Sequence, residues 1–144
     1  MAAQWTPYYS SKKYMMSGAI DVDSDAFRMA LFTSASNAAT ATLSTYASVS
    51  NEVTEAFGYS SSGKALTGIT WATGASARVY RWSHAALVWT AADGNIANVK
   101  YAVIWDTTSG KLMCFAQLST AQFTIASGTT MTMTPSSSGV FELT

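Results

Sequence analysis

The feature that most restricts the fold is a series of short alternating segments that follow one another at about ten-residue spacing from residue 64 onward. In each segment apolar residues alternate with polar ones, as they do when a strand buries one face. The segments are 77–82, 99–105, 112–118, 123–125 and 131–134. Turn-forming pairs, among them Asp93-Gly94 and Ser109-Gly110, lie between them. The spacing predicts an all-β fold, either a single antiparallel β-sandwich or a compact barrel.

The clearest core strand in this series is 99–105. Its alternation predicts that one face carries Val99, Tyr101, Val103 and Trp105. Ser109-Gly110 then predicts a hairpin that returns along 112–118, and a last short strand is expected over 140–143.

A short N-terminal helix is predicted over residues 9–17. Tyr9, Lys13 and Met16 share one side at helical spacing, and Ser10 or Ser11 is expected to cap the start. Gly18 is well placed to end it. Residues 1–8 lack periodicity and are interpreted as an N-terminal arm, so the expected organisation is an arm over 1–8 and a single β-rich domain over 9–144.

An acidic turn precedes the first predicted strand. Asp21, Asp23 and Asp25 have the spacing of a calcium loop, but Ala26 stands where that loop needs glycine and Phe32 where it needs glutamate. A polar turn is therefore favoured over a metal site. In the strand that follows, Phe27, Met29 and Leu31 are expected to share one face, and residues 34–50 form a loop by their Ser, Ala and Thr content.

The stretch Gly-Ala-Ile-Asp-Val-Asp-Ser-Asp at residues 18–25, followed by an alternating Met-Ala-Leu strand, resembles the start of a family of small virion proteins of tailed bacteriophages. The resemblance continues at four later places along most of the chain. These are Ser50–Val53, Gly58–Gly63, Leu87–Trp89 and the 99–105 strand.

This resemblance implies a structural role, namely that of a capsid decoration or cement protein. Such a protein binds the outside of the phage head and ties neighbouring major capsid protein subunits together, commonly as a homotrimer. The implied location is the capsid surface of the virion, after synthesis in the host cytoplasm. Two alternatives remain open: a tail or head-to-tail structural component, and a carbohydrate-binding β-sandwich module for host attachment.

The chain contains few charged residues, and this scarcity excludes some classes of partner. Charged residues make up 11% of the sequence and the net charge is zero, against a usual share of about 25%. Lys12-Lys13 is the only adjacent basic pair, so nucleic-acid binding is not expected. Neither a signal peptide nor a membrane span is expected from the apolar runs. A surface so poor in charge is either a plain Ser/Thr surface or one that partners cover.

No catalytic constellation is present in the sequence. His84 is the only histidine, no Gly-x-Ser-x-Gly motif occurs, and the single Cys114 lies in an apolar run. We therefore expect no enzyme activity and no cofactor.

Aromatic residues are the best candidates for contacts with a partner. Tyr80 and Trp82, bracketed by Arg78 and Arg81, are predicted to form an exposed platform. In the arm the candidates are Trp5, Pro7 and Tyr8. The arm either lies across a neighbouring subunit or folds back so that Trp5 packs on its own sheet.

The broken calcium pattern predicts that divalent metal is irrelevant to folding. The melting temperature is expected to be the same with EDTA and with added calcium, as measured by circular dichroism. A fall of many degrees on adding EDTA would contradict this prediction.

Overall fold

Short strands dominate the fold, as the spacing predicts. The computed structural model describes residues 2–144, and these contain twelve strands, one α-helix and one 3-10 helix. The strands are β1 Thr6–Pro7, β2 Phe27–Phe32, β3 Lys64–Ala65, β4 Thr70–Thr73, β5 Tyr80–Ser83, β6 Leu87–Thr90, β7 Ile96–Val99, β8 Tyr101–Asp106, β9 Leu112–Gln117, β10 Phe123–Ile125, β11 Thr130–Met133 and β12 Phe141–Leu143. The helices are α1 Tyr9–Ser17 and the 3-10 helix Tyr46–Ser48.

The strands form one large sheet and three small ones. The large sheet is antiparallel and has the order β1-β9-β8-β2-β3. The small sheets are β10-β7, β11-β6 and β12-β5-β4, also antiparallel. Within residues 2–144 none of the four sheets closes on itself. The fold is therefore all-β and sandwich-like, and the barrel alternative is not the one observed.

The first core lies between the large sheet and the strands of the small sheets. Phe27, Met29 and Leu31 enter it from β2, as their alternation predicts. Trp82 and Trp89 are the largest side chains that meet them from the other layer. Burying side chains of this size supplies the main stabilising free energy of such a domain.

A second core covers the opposite face of the same large sheet. Ala30 and Phe32 of β2 enter it, together with Val103 of β8. The loop over 34–50 packs on this face through Ala38 and Tyr46, so its Ala- and Thr-rich composition does not make it a solvated loop. The interior strand β2 is consequently buried on both faces, and Arg28 is its only partly exposed residue.

Two details of the predicted elements are wrong. The helix begins after Tyr8, and no side chain caps it; the Ser11 hydroxyl instead donates to the Tyr8 carbonyl at 2.8 Å. Val99 does not share a face with Tyr101, because it ends β7 and packs in the first core while Tyr101 packs on the second. The helix bounds and the left-handed Gly18 that ends it are confirmed.

Alanine substitutions at two glycines can test how closely the loop before β3 approaches the large sheet. Gly63 and Gly110 both have positive φ, 77° and 73°, and alanine at either position costs about 1–2 kcal/mol of backbone strain. A methyl group at Gly63 would also overlap the Met29 carbonyl, whereas nothing lies within 4 Å at Gly110. We expect Gly63→Ala to lower the free energy of unfolding by about 2 kcal/mol or more beyond Gly110→Ala in urea titrations. Equal losses would mean that the loop moves away at little cost.

Candidate partner-binding surface

An aromatic row crosses the three-stranded sheet. Trp71 of β4, Trp82 of β5 and Phe141 of β12 are in register. The rings of Trp82 and Phe141 stack with centroids 5.7 Å apart, and Trp71 lies 5.9 Å from Phe141. Trp82 is completely buried in the first core, while Trp71 and Phe141 are partly exposed. The row therefore leads from the core to the protein surface.

The next row of the same sheet face extends beyond the core. Thr73, Tyr80 and Leu143 are in register, two residues along each strand from the aromatic row. Tyr80 is 47% exposed and Leu143 is 50% exposed. Together with Trp71 and Phe141 they form an exposed apolar surface that we call the aromatic ledge. Tyr80 and Leu143 lie one row beyond the buried Trp82 on this face.

A groove borders the ledge at the chain termini. It has a volume of about 460 Å³ and is lined by residues 2–6 and by residues between 136 and 142. Among the described residues that line it, Glu142 is the only charged one. Its carboxylate accepts from both Nε and Nη2 of Arg81, at 3.2 and 3.1 Å, so its charge is paired within the chain. The groove therefore offers a nearly neutral surface.

The two residues of the predicted platform differ in exposure. Tyr80 is exposed, as predicted. Trp82 is not, because it lies in the core and its indole N–H donates to the Val22 carbonyl at 2.8 Å. The prediction that Tyr80 and Trp82 form an exposed platform is thus wrong. The ring beside Tyr80 is that of Trp71, and the two ring centroids are 5.9 Å apart. Sequence alternation could not identify Trp71, since the register of β4 against β5 is needed to place it.

The N-terminal segment packs on its own domain. Tyr8 is fully buried in the second core, donates to the Ala38 carbonyl at 2.6 Å, and has a pKa raised chiefly by burial. Its side chain has no surface for a partner, which corrects that prediction. Pro7 pairs with Cys114 in the sheet, and Trp5 packs against the first core. The alternative in which Trp5 folds back onto its own sheet is therefore the observed arrangement.

The remaining polar side chains of interest hold turns or lie in the core. The Asp21 carboxylate accepts from the backbone N–H groups of Asp23 and Ser24 at 3.0 and 3.2 Å. The Ser24 side chain, followed by these backbone groups, lowers the pKa of Asp21. The acidic run is thus the polar turn that the sequence favours. Burial raises the pKa of the Cys114 thiol. Within residues 2–144 no group of three or more His, Cys, Asp or Glu side chains could hold a metal ion.

No protein-family model matches this chain, and neither a curated protein nor a solved structure does. Among the described residues, no helix has both the length and the apolar character needed to cross a membrane.

Acid stability should report on the buried histidine beside the aromatic row. His84 is 7% exposed, its ring centroid lies 6.4 Å from that of Trp82, and its Nδ1 lies 2.6 Å from the Ala85 carbonyl oxygen. Burial lowers its pKa below the ordinary value of 6.5. The folded state therefore binds fewer protons than the unfolded state as His84 titrates. The free energy of unfolding keeps its full contribution from neutral His84 above pH 6.5, and this contribution decreases as the pH falls below 6.5.

We expect the free energy of unfolding to fall less between pH 7 and pH 5 in His84→Gln than in the parent protein, as measured by urea titration. Glutamine keeps a donor for the Ala85 carbonyl, and carboxyl groups titrate equally in both proteins. Identical pH profiles would show that His84 does not titrate differently in the folded state.

Proposed function

We propose that this chain is a structural protein of a tailed-phage virion, a capsid decoration protein that binds the outside of the head and stabilises contacts between major capsid protein subunits. The proposal starts from the family resemblance of the 18–32 region and the four later segments. The observation that carries it is the aromatic ledge, an exposed apolar surface on a chain with only 11% charged residues. Such a surface is typical of a protein interface.

Rigidity supports this role. A protein that reinforces a shell must resist deformation, and here the large sheet is packed on both faces by two separate cores. Residues 2–6 and residues between 136 and 142 also lie together along the groove described above, which we call the terminal groove. The groove and the ledge share Phe141, so a single partner subunit can cover both.

The ledge can account for useful affinity. Complete burial of a large apolar side chain contributes roughly 1.5–3 kcal/mol. Tyr80 and Leu143 are each about half exposed, so covering both contributes about one to two powers of ten in binding. A trimer on the shell would multiply this effect, because the second and third contacts form at high effective concentration.

A second candidate function, carbohydrate binding for host attachment, is favoured by one observation. The exposed Tyr80 ring lies 5.9 Å from the partly exposed Trp71 ring, and exposed aromatic rings can pack against the apolar face of a sugar. Against it, the rings of Trp71 and Tyr80 are tilted by 34°, so they do not form one flat platform. We therefore favour the capsid role.

The proposed function predicts that ledge variants lose their place on the capsid. Tyr80→Ser and Leu143→Ser should melt within a few degrees of the parent, because both side chains lie outside the core. Each should bind undecorated heads about three- to tenfold more weakly in a sedimentation assay. Met16→Ser, which changes a side chain 85% exposed on α1, is the matched control and should bind normally.

Quantification of the protein in purified virions separates the alternatives. A copy number that scales with the major capsid protein indicates decoration, whereas a single small ring of copies indicates a tail or connector part and contradicts the proposal. A glycan-array signal that Tyr80→Ser abolishes would instead favour the carbohydrate-binding module.

A further inference from the structure

A second groove lies on the large sheet and shares no lining residue with the terminal groove. Its volume is about 490 Å³, and it opens where Arg28 of β2 pairs with Trp105 of β8. Ser61 and Ser62 line it from the loop before β3, and Phe27 and Leu66 contribute buried apolar surface. We call this groove the Arg28 pocket.

The Arg28 side chain is held in a fixed orientation. Its Nε donates to the Ser62 carbonyl at 3.2 Å, and its Nη2 donates to the Gly63 carbonyl at 2.5 Å. Both bonds use the same edge of the guanidinium group. Within residues 2–144 the other edge, which carries Nη1, has no hydrogen-bond partner. A partly buried guanidinium group with one fixed edge and one free edge can donate hydrogen bonds from the free edge to a ligand acceptor.

No carboxylate neutralises this cation. The described part of the chain contains one ion pair, Arg81–Glu142, and Arg28 is not part of it. Glu52 reaches the same loop, but its carboxylate already accepts from the Tyr46 and Tyr59 hydroxyls and from the Ser62 N–H, at 2.5, 2.6 and 2.7 Å. It makes no ion pair with Arg28, so the free edge of Arg28 remains available.

The pocket wall beside the cation is aromatic. Trp105 stacks on Tyr46 with a centroid distance of 4.0 Å and an interplanar angle of 12°. Its indole N–H lies 3.4 Å from the Ser62 carbonyl. Because Tyr46 covers one face of the indole and the Ser62 carbonyl accepts from its N–H, the side of Trp105 that lines the pocket is a preformed apolar surface.

We propose that the Arg28 pocket binds a carboxylate that carries an aromatic or apolar body. The carboxylate bonds to the free edge of Arg28, and the body packs against Trp105 and the apolar wall. Such a pocket combines one oriented charge with apolar lining, which is the usual composition of a small-ligand site. The carboxylate can come from a free arylalkanoic acid or from an acidic side chain beside an apolar residue in a protein segment. This inference does not depend on the proposed function.

The first test compares two probes that differ only in charge, 3-phenylpropionate and 3-phenylpropionamide. Binding is followed on the full chain by the indole N–H signal of Trp105 in two-dimensional NMR spectra. We expect the acid to shift this signal saturably and to bind about tenfold or more tightly than the amide, because it makes charge-assisted hydrogen bonds. Affinity for the acid should also fall with added salt.

Variants then locate the binding. Ser61→Asp places a carboxylate at the exposed rim, where it can occupy Arg28 from within the chain, and it should abolish binding. Ser61→Asn has the same shape without the charge and should bind normally. Arg28→Gln should lose discrimination between acid and amide; its melting temperature is measured as well, because Arg28 also holds the loop carbonyls.

The source of the carboxylate is decided by a second pair of probes, the blocked dipeptides Phe-Glu and Phe-Gln. Tighter binding of Phe-Glu than of 3-phenylpropionate supports a protein segment, and the reverse supports a free acid. The proposal is overturned if neither acid shifts the Trp105 signal at millimolar concentration, if acid and amide bind equally, or if Ser61→Asp binds as well as Ser61→Asn. None of these results bears on the copy number in virions.

Discussion

The burial of β2 on both faces is the constraint on which the rest of the structure depends. An interior strand of an antiparallel sheet can leave one face in water, but Phe27–Phe32 has buried apolar residues on both faces. The inner face is covered by the small sheets and the outer face by the loop over 34–50. That loop has little regular structure of its own, so its position depends on contacts with the sheet and on hydrogen bonds at its end.

Glu52 joins that loop to the loop before β3. Its carboxylate accepts from the hydroxyl of Tyr46 in that loop, and from the Tyr59 hydroxyl and the Ser62 backbone N–H in the loop before β3. Burial, and after it the hydrogen bonds to Glu52, raise the pKa of both tyrosines. The same attachment holds Ser62 against Arg28, and the orientation of the Arg28 pocket is thus a consequence of how the second core is covered.

Local patterns were sufficient where the chain interacts mainly with itself nearby. The helix over 9–17, the left-handed Gly18 and the hairpin through Ser109-Gly110 all follow from short-range spacing, and all are observed. The candidate site was predictable only in part. Tyr80 is exposed as expected, but Trp82, two residues away on the same face, is buried, and Trp71 takes its place on the surface. Alternation assigns both Tyr80 and Trp82 to one face and cannot tell where along the strand the opposite layer ends.

The sequence by itself determined the all-β class, the approximate places of the strands and the scarcity of charge, because these depend on residue type and on a period of two. Only the tertiary structure decided that the loop over 34–50 covers a second core, that Tyr8 and Trp82 are internal, and that Arg28 has a free edge beside Trp105. The physical reason is that burial and the pairing of charges depend on which distant strands become neighbours. That choice is set by the packing of the whole chain, and no local period records it.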